Sequence, residues 1–266
     1  MSNVQTSKAM TTKLPLYLNY LGENLRNFDF ASIRDSFNYI LFKKVPNMDR
    51  VIHSRMGTFL TRKKTTDFMY TNFAYEIQVK KFIQKHAIHY DVFVDIGSCI
   101  GDYSVWMASE GFKVFAVEPD PENFASLNEN IRLNKFSSQI TALNFGLAEK
   151  DGVLPFANAS SNKGASKIVQ DENAEGDIKV PVHKWDNIVN TLHIAPTEKV
   201  LLKLDVEGME EKVIRGMREF LKRQRNIILI LEVKLGDEKN MRRLLQTTGN
   251  YSFERIDEHN IGAIKR

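Results

Sequence analysis

Cysteine is nearly absent from this chain, with Cys99 standing alone among 266 residues. One thiol cannot close an internal disulfide, which excludes the cross-linked scaffolds of small secreted domains, and no Cys or His spacing suggests a zinc site. In the glycine turn where it sits, Cys99 reads as a buried structural thiol rather than a nucleophile. Long apolar runs are missing too: no segment approaches the ~20 residues of a membrane-crossing helix, and no signal-peptide core precedes a small-residue cleavage site. The expectation is a cytoplasmic protein with no transmembrane segment. The GxGxxG spacing of a dinucleotide loop, internal repeats and any recognisable RNA-binding motif are likewise lacking.

Positive charge is unevenly placed rather than scarce. Through Tyr90 the chain has fourteen Lys and Arg against six Asp and Glu, a net +8, and the remainder carries −4. The densest run is Arg62, Lys63 and Lys64, with Lys43 and Lys44 before it and Lys80, Lys81 and Lys85 after it. Such a patch suits a phosphate, an acidic glycan, a nucleic acid, an anionic membrane face or simply solvent.

The chemistry is concentrated in residues 92–118, VFVDIGSCIGDYSVWMASEGFKVFAVE. The apolar residues Val92, Phe93 and Val94 lead into Asp95, and Gly97 and Gly101 allow a tight turn and close backbone approach to a ligand. A helix is expected from Ser104 to about Ser109, with Gly111 as its stop. A buried strand over Val114 to Val117 then ends at Glu118, before Pro119. The pattern DxGxxxG puts an acid inside the turn. An acid there repels a pyrophosphate but suits the cationic amino and sulfonium groups of S-adenosylmethionine. Glu118, seventeen positions after Gly101, is placed to accept hydrogen bonds from ribose hydroxyls. A purely structural turn cap at Asp95 is the competing explanation, and Glu118 favours the cofactor.

With that stretch, the blocks VFAVEPDPENFASLNENIRLN, LLKLDVEGMEEKVIRG and IILILEV resemble, in order, the signatures of FkbM-type S-adenosylmethionine-dependent methyltransferases over roughly residues 62–235. DVEG is the most telling of them. The resemblance implies methylation of a hydroxyl oxygen, often on a sugar or polyketide. The family's turn usually reads Gly-Ala-Asn-Ile-Gly, and Ser98 and Cys99 replace its middle here, so one amide contact to the cofactor is in doubt.

Along the chain, residues 1–13 read as a disordered tail, 14–88 as an N-terminal accessory region and 89–266 as the S-adenosylmethionine-binding domain. Phe30, Ile33, Phe37, Ile40 and Leu41 recur at helical spacing, in a stripe that suits packing on the domain, a second subunit or a membrane. Residues 50–60 alternate like a hairpin around Met56 and Gly57, and Tyr75, Val79, Phe82 and Ile83 suggest a helix. After a helix over Pro121 to Asn134 and a strand over Ile140 to Phe145, residues 150–182 form a long insertion, expected as a hairpin over the cofactor edge. A strand at Val200 to Leu204, a helix from Met209 to about Leu221 and a strand at Ile227 to Leu231 follow. A helix over Lys239 to Gln246 and a closing hairpin, Tyr251 to Ile256 and Ile261 to Lys265, complete the pattern. The expected fold is α/β: a doubly wound, mostly parallel, seven-stranded Rossmann-like methyltransferase sheet with an N-terminal helical and hairpin extension.

Ligands of such sheets sit beyond the carboxyl ends of the strands. The cofactor-binding set is then Glu76, which ends the family-like segment TTDFMYTNFAYE, with Asp95, Gly97, Ser98, Gly101, Glu118, Pro119, Asn144, Phe145 and Asp205. A hydroxyl nucleophile calls for a general base, for which Asp205, Glu207, Glu232 and His183 are the candidates. Asp205 and Glu207 also suit a helix start, and His183 suits a surface role. No metal is assigned. The expected acceptor is a small molecule or glycan. The basic first third keeps an RNA methyltransferase open but not favoured, a non-catalytic binding module is the third reading, and a homo-oligomer stays open.

Overall fold

A computed structural model describes residues 17–169, 171, 175–233 and 236–266, so the expected tail at 1–13 lies outside the described residues. The chain opens with two helices, α1 (residues 17–26) and α2 (Phe30–Phe42). No element was expected over residues 17–26, although Leu18, Leu21 and Leu25 recur there at helical spacing. A hairpin follows, β1 (Arg50–Ser54) and β2 (Gly57–Thr61), then helices α3 (Asp67–Tyr70) and α4 (Ile77–His86). Tyr75 falls outside α4, because Glu76 turns the chain through the left-handed region at φ 47°.

The central sheet is built from β3 (Val92–Ile96), β4 (Lys113–Val117), β5 (Ile140–Leu143), β10 (Lys199–Leu204), β11 (Asn226–Glu232), β12 (Tyr251–Arg255) and β13 (Asn260–Lys265). The spatial order is β12-β13-β11-β10-β3-β4-β5, with β13 alone running opposite to the other six strands. Every residue of β3 is buried, as an inner strand covered on both faces requires. Val92, Val94 and Ile96 enter one core and Phe93 the other. Helices α5 (Asp102–Ser109) and α6 (Pro121–Leu133) connect the first half, with Asp120 capping α6 through the N–H of Glu122.

Three elements differ from expectation. The third core strand stops at Leu143, because the chain leaves the sheet to begin β6 (Gly146–Leu147). The insertion contains the expected hairpin, β7 (Gly152–Ala157) paired antiparallel with β9 (Ile178–His183), but β6 and β8 (Lys167–Ile168) extend it into a second sheet of order β6-β9-β7-β8. The helix expected over 209–221 breaks into two, after the short helix α7 (Trp185–Ile188): α8 (Glu210–Gly216) and α9 (Arg218–Arg223). A Cβ on Gly216 would lie 2.1 Å from the Ala148 carbonyl oxygen, so the second sheet presses against the helix where it breaks. The last helix, α10 (Glu238–Gln246), precedes the closing hairpin.

Two asparagines of the ENIRLN segment attach the N-terminal hairpin. Asn134 accepts from Thr58 N–H at 2.8 Å and donates to its carbonyl at 2.6 Å, and Asn130 accepts from Leu60 N–H at 2.7 Å. Fully buried Asn130 also donates to the Ile100 carbonyl at 2.9 Å. Side-chain amides thus satisfy the outer edge of β2 and join it to the glycine turn, where unpaired backbone would be costly.

Candidate active site

The parallel register of β3 with β10 sets Asp95 beside Lys203, and both strands end together at the mouth of the sheet. Gly97 follows at φ 87°, and a Cβ there would stand 1.8 Å from the Asp205 carbonyl oxygen. Only glycine permits that approach. Gly101, at φ 83°, likewise leaves no room for a Cβ against Leu127. Two clefts open at this point and share Gly97, Cys99, Gly164 and Asp205.

The first cleft has a volume of about 110 Å³. Six carboxylates line it, Glu76, Asp95, Asp102, Asp205, Glu207 and Glu232, against one cation, Lys203. Burial pushes Asp95 up to about 6, even though it accepts from Ser104 Oγ at 2.6 Å and faces Lys203. Burial also lifts Asp102 to about 7. Tyr103 donates its hydroxyl to Glu76 at 2.8 Å, and the Lys203 ammonium lies 4.9 Å from the Tyr103 ring.

Lys203 Nζ donates to Asp205 at 2.7 Å. Burial disfavours the Asp205 charge, yet that ammonium holds the carboxyl below its ordinary value. Glu232 goes the other way: burial, the Asp205 charge and a hydrogen bond with Asp205 push it up to about 8. The pair therefore shares a proton, with Asp205 ionised and Glu232 its holder. Oxygens of Asp205, Glu207 and Glu232 lie within 4.8 Å of one another, a spacing that could gather a divalent cation; Lys203 already supplies a positive charge there.

The second cleft is lined by Ile96, Val117 and Leu147, with Glu118, Pro119 and Asn123 at its polar end. Glu118 accepts from the N–H groups of Cys99 and Asp120, each at 2.8 Å. The Asn123 side chain also bonds this carboxyl, and a carboxyl has acceptor capacity for a ligand hydroxyl beyond three such bonds. Burial lifts Glu118 to about 8. Asn123 Oδ1 here and Ser98 Oγ in the first cleft are buried with no protein partner. Orphaned buried polar atoms beside an apolar slot and an acidic one fit an adenosyl group with a cationic tail.

Most expected residues therefore meet in the two clefts. Four do not: Gly101, Asn144, Phe145 and His183 line neither. Asn144 donates to the Glu118 carbonyl at 2.9 Å and so props up the strand end. Phe145 meets the His183 ring edge-on at 4.9 Å, and His183 Nδ1 lies 3.5 Å from Asp151. Tyr70, Tyr75, Asp102, Tyr103 and Lys203 line the site without having been singled out for it. Lys203 did leave a signal, as a lone charge inside the apolar run of β10. The basic patch also changes meaning: Arg62 grips the fully buried Asp67 at 2.7 and 3.0 Å, and Lys80 is fully buried.

The model of the methyltransferase FkbM domain matches residues 95–257. Hexuronic acid methyltransferase AglP of Haloferax volcanii is 30% identical over 172 residues, covering 64% of this chain and 67% of that protein. Methyltransferase sdnD of Sordaria araneosa is 27% identical over 186 residues, covering 59% of this chain and 72% of its own. Among solved structures, M. jannaschii TYW2 in complex with AdoMet aligns with a TM-score of 0.46 and 12% identity over 84% of this chain and 87% of that one.

Proposed function

The chain belongs to the FkbM methyltransferase family, and from that premise we propose that it methylates a hydroxyl oxygen of a sugar, a glycan or another small hydroxylated acceptor. S-adenosylmethionine supplies, when bound, a methyl group on a sulfonium leaving group. The chain's own residues then have three tasks. Glu118, Pro119 and Asn123 take the nucleoside end in the second cleft. Asp95 and Glu76 offer negative charge to the cationic end in the first. Glu232 accepts the acceptor's hydroxyl proton, and Asp205, held ionised by Lys203, raises its proton affinity.

One observation carries this assignment: Asp205, bonded to Lys203 at 2.7 Å, and Glu232 bring carboxyl oxygens within 4.8 Å of each other at the mouth of the sheet, where burial and the Asp205 charge raise the proton affinity of Glu232. A base of that affinity matches a weakly acidic hydroxyl better than an ordinary carboxylate does. The hexuronic acid specificity in the name of the Haloferax relative favours a sugar acceptor. Incubation with methyl-labelled S-adenosylmethionine and a panel of sugars and glycans should yield a methyl ether, detected by mass. Label transferred to RNA and to no sugar or small alcohol would overturn the choice of acceptor.

A further inference from the structure

The two N-terminal helices present a surface unlike any other part of the protein. Thirteen large apolar side chains are exposed among the described residues, and eleven of them lie between Leu18 and Val51. Phe28 is 80% exposed at the turn between the helices, at φ 55°, where glycine or asparagine would be favoured. Nothing in the fold asks for a ring there. Phe30, Leu41 and Phe42 extend the patch, and an apolar cleft lined by Tyr17, Leu21, Ile33 and Phe37 continues it inward. Exposed apolar side chains concentrated in this way on one pair of helices mark a docking face.

Charge on the same helices is sorted by sign. Glu23 is 9% exposed and held by Arg26 and Arg55, and Asp35 is 6% exposed and held by Arg34 and Arg50. Asp29 pairs with Arg50 and caps α2 through the N–H of Ser32. The cations point outward: Arg26 is 70% and Arg34 69% exposed, and Lys43 and Lys44 are exposed at the end of α2. Asp49, the exposed acid of the next loop, accepts the backbone N–H of Lys63.

We infer that this helical pair docks the protein on an anionic lipid surface, with aromatic and aliphatic side chains at the acyl boundary and Arg26, Arg34, Lys43 and Lys44 against the headgroups. Apolar surface ringed by basic side chains is the pattern of helices that lie in the membrane interface. A second copy fits less well, because a two-fold contact would set these cations against their own images. No helix among the described residues is long and apolar enough to cross a membrane, so the contact is with a surface. The docking face adjoins the candidate active site: Met69 lines the apolar cleft, Tyr70 and Tyr75 line the acidic one, and Asn72 between them donates to Asn24 at 2.7 Å.

The full chain, sedimented with vesicles of phosphatidylcholine plus phosphatidylglycerol, should partition onto them far more than onto phosphatidylcholine alone. Lys43→Gln/Lys44→Gln should weaken partitioning by about 5-fold per charge, from roughly 1 kcal/mol per cation near an anionic surface. Phe30→Ser/Phe42→Ser should weaken it by about 10-fold or more, with circular dichroism and thermal midpoint unchanged. Three results would overturn the inference. One is failure of the full chain to bind anionic vesicles. Another is equal binding by all variants. The third is a dimer in sedimentation velocity that the phenylalanine pair dissociates, which would assign the face to a second copy.

Discussion

The N-terminal helical pair and the mouth of the central sheet treat charge and apolar surface in opposite ways. In the helical pair, acids are folded inward under arginines and aromatic rings face outward. At the sheet mouth, six carboxylates crowd one cleft, while within residues 89–266 Val153 is the only exposed large apolar side chain among the described residues. Burying like charges costs several kcal/mol per group unless something compensates. A cleft that tolerates them suits the cationic ligand and the proton transfer proposed for it. Exposed rings cost the folded chain little, but they leave a surface suited to a partner.

The sharpest way to break the catalytic half is Gly97→Ala, whose Cβ would collide with the Asp205 carbonyl. We expect S-adenosylhomocysteine binding to vanish and the thermal midpoint to fall by about 10 °C, from a loss above roughly 4 kcal/mol. Calorimetry reads both, and near-native binding would contradict the packing at the turn.

Glu232→Gln tests the proposed proton acceptor. Turnover should drop about 10²- to 10⁴-fold while cofactor affinity holds. In the parent enzyme the rate should climb as pH rises through about 8, because Glu232 must lose its proton before it can take one. That rise should be absent in the variant, and an unchanged pH profile would remove Glu232 from the base role.

The basic run can be split from within. Arg62→Ala strands the buried Asp67 charge and should cost about 3–5 kcal/mol of stability. Lys63→Ala/Lys64→Ala should move it by no more than about 0.5 kcal/mol. Denaturant titration of the two variants separates a structural cation from solvated ones, and equal effects would show that the Arg62 pair is not special.

Glu118→Gln should weaken S-adenosylhomocysteine binding by about 0.5–1.5 kcal/mol, the range for a hydrogen bond to a carboxyl that burial keeps largely protonated at neutral pH. Full affinity in a folded variant would make the acid a backbone prop for Cys99 and Asp120 alone. The smallest effect belongs to the other region: Phe30→Ser should change stability by no more than about 0.5 kcal/mol. A large loss on unfolding would mean that the ring packs in solution.

All seven strands of the central sheet could be read in advance, because buried inner strands give unbroken apolar runs and the intervening helices carry their own period. Of the second sheet only the β7–β9 hairpin could, from its two short alternating runs. β6 and β8 are two residues each, too short for any period, and they exist only because β7 and β9 offer them edges. The break after Gly216 was hidden for a similar reason, since the Ala148 carbonyl that presses there arrives from 68 positions earlier in the chain. Of the candidate site, Asp95, Glu118, Asp205, Glu207 and Glu232 were visible as acids at strand ends. His183, Asn144 and Phe145 obeyed the same rule but line neither cleft, because the end of a strand does not say which way a side chain turns.

Local physics in the sequence thus determined the strand and helix pattern, the glycine turn and the acids that follow the strands, since each depends on neighbours only a few positions away. Tertiary structure alone decided how those acids ionise. Lys203 reaches Asp205 at 2.7 Å, Asp205 meets Glu232 from another strand, and burial sets the strength of each interaction. It also decided which charges of the basic first third remain outside. Arg62 and Lys80 are drawn in, whereas Arg26, Arg34, Lys43 and Lys44 stay out beside exposed phenylalanines, because packing, not composition, determines which side chains solvent reaches.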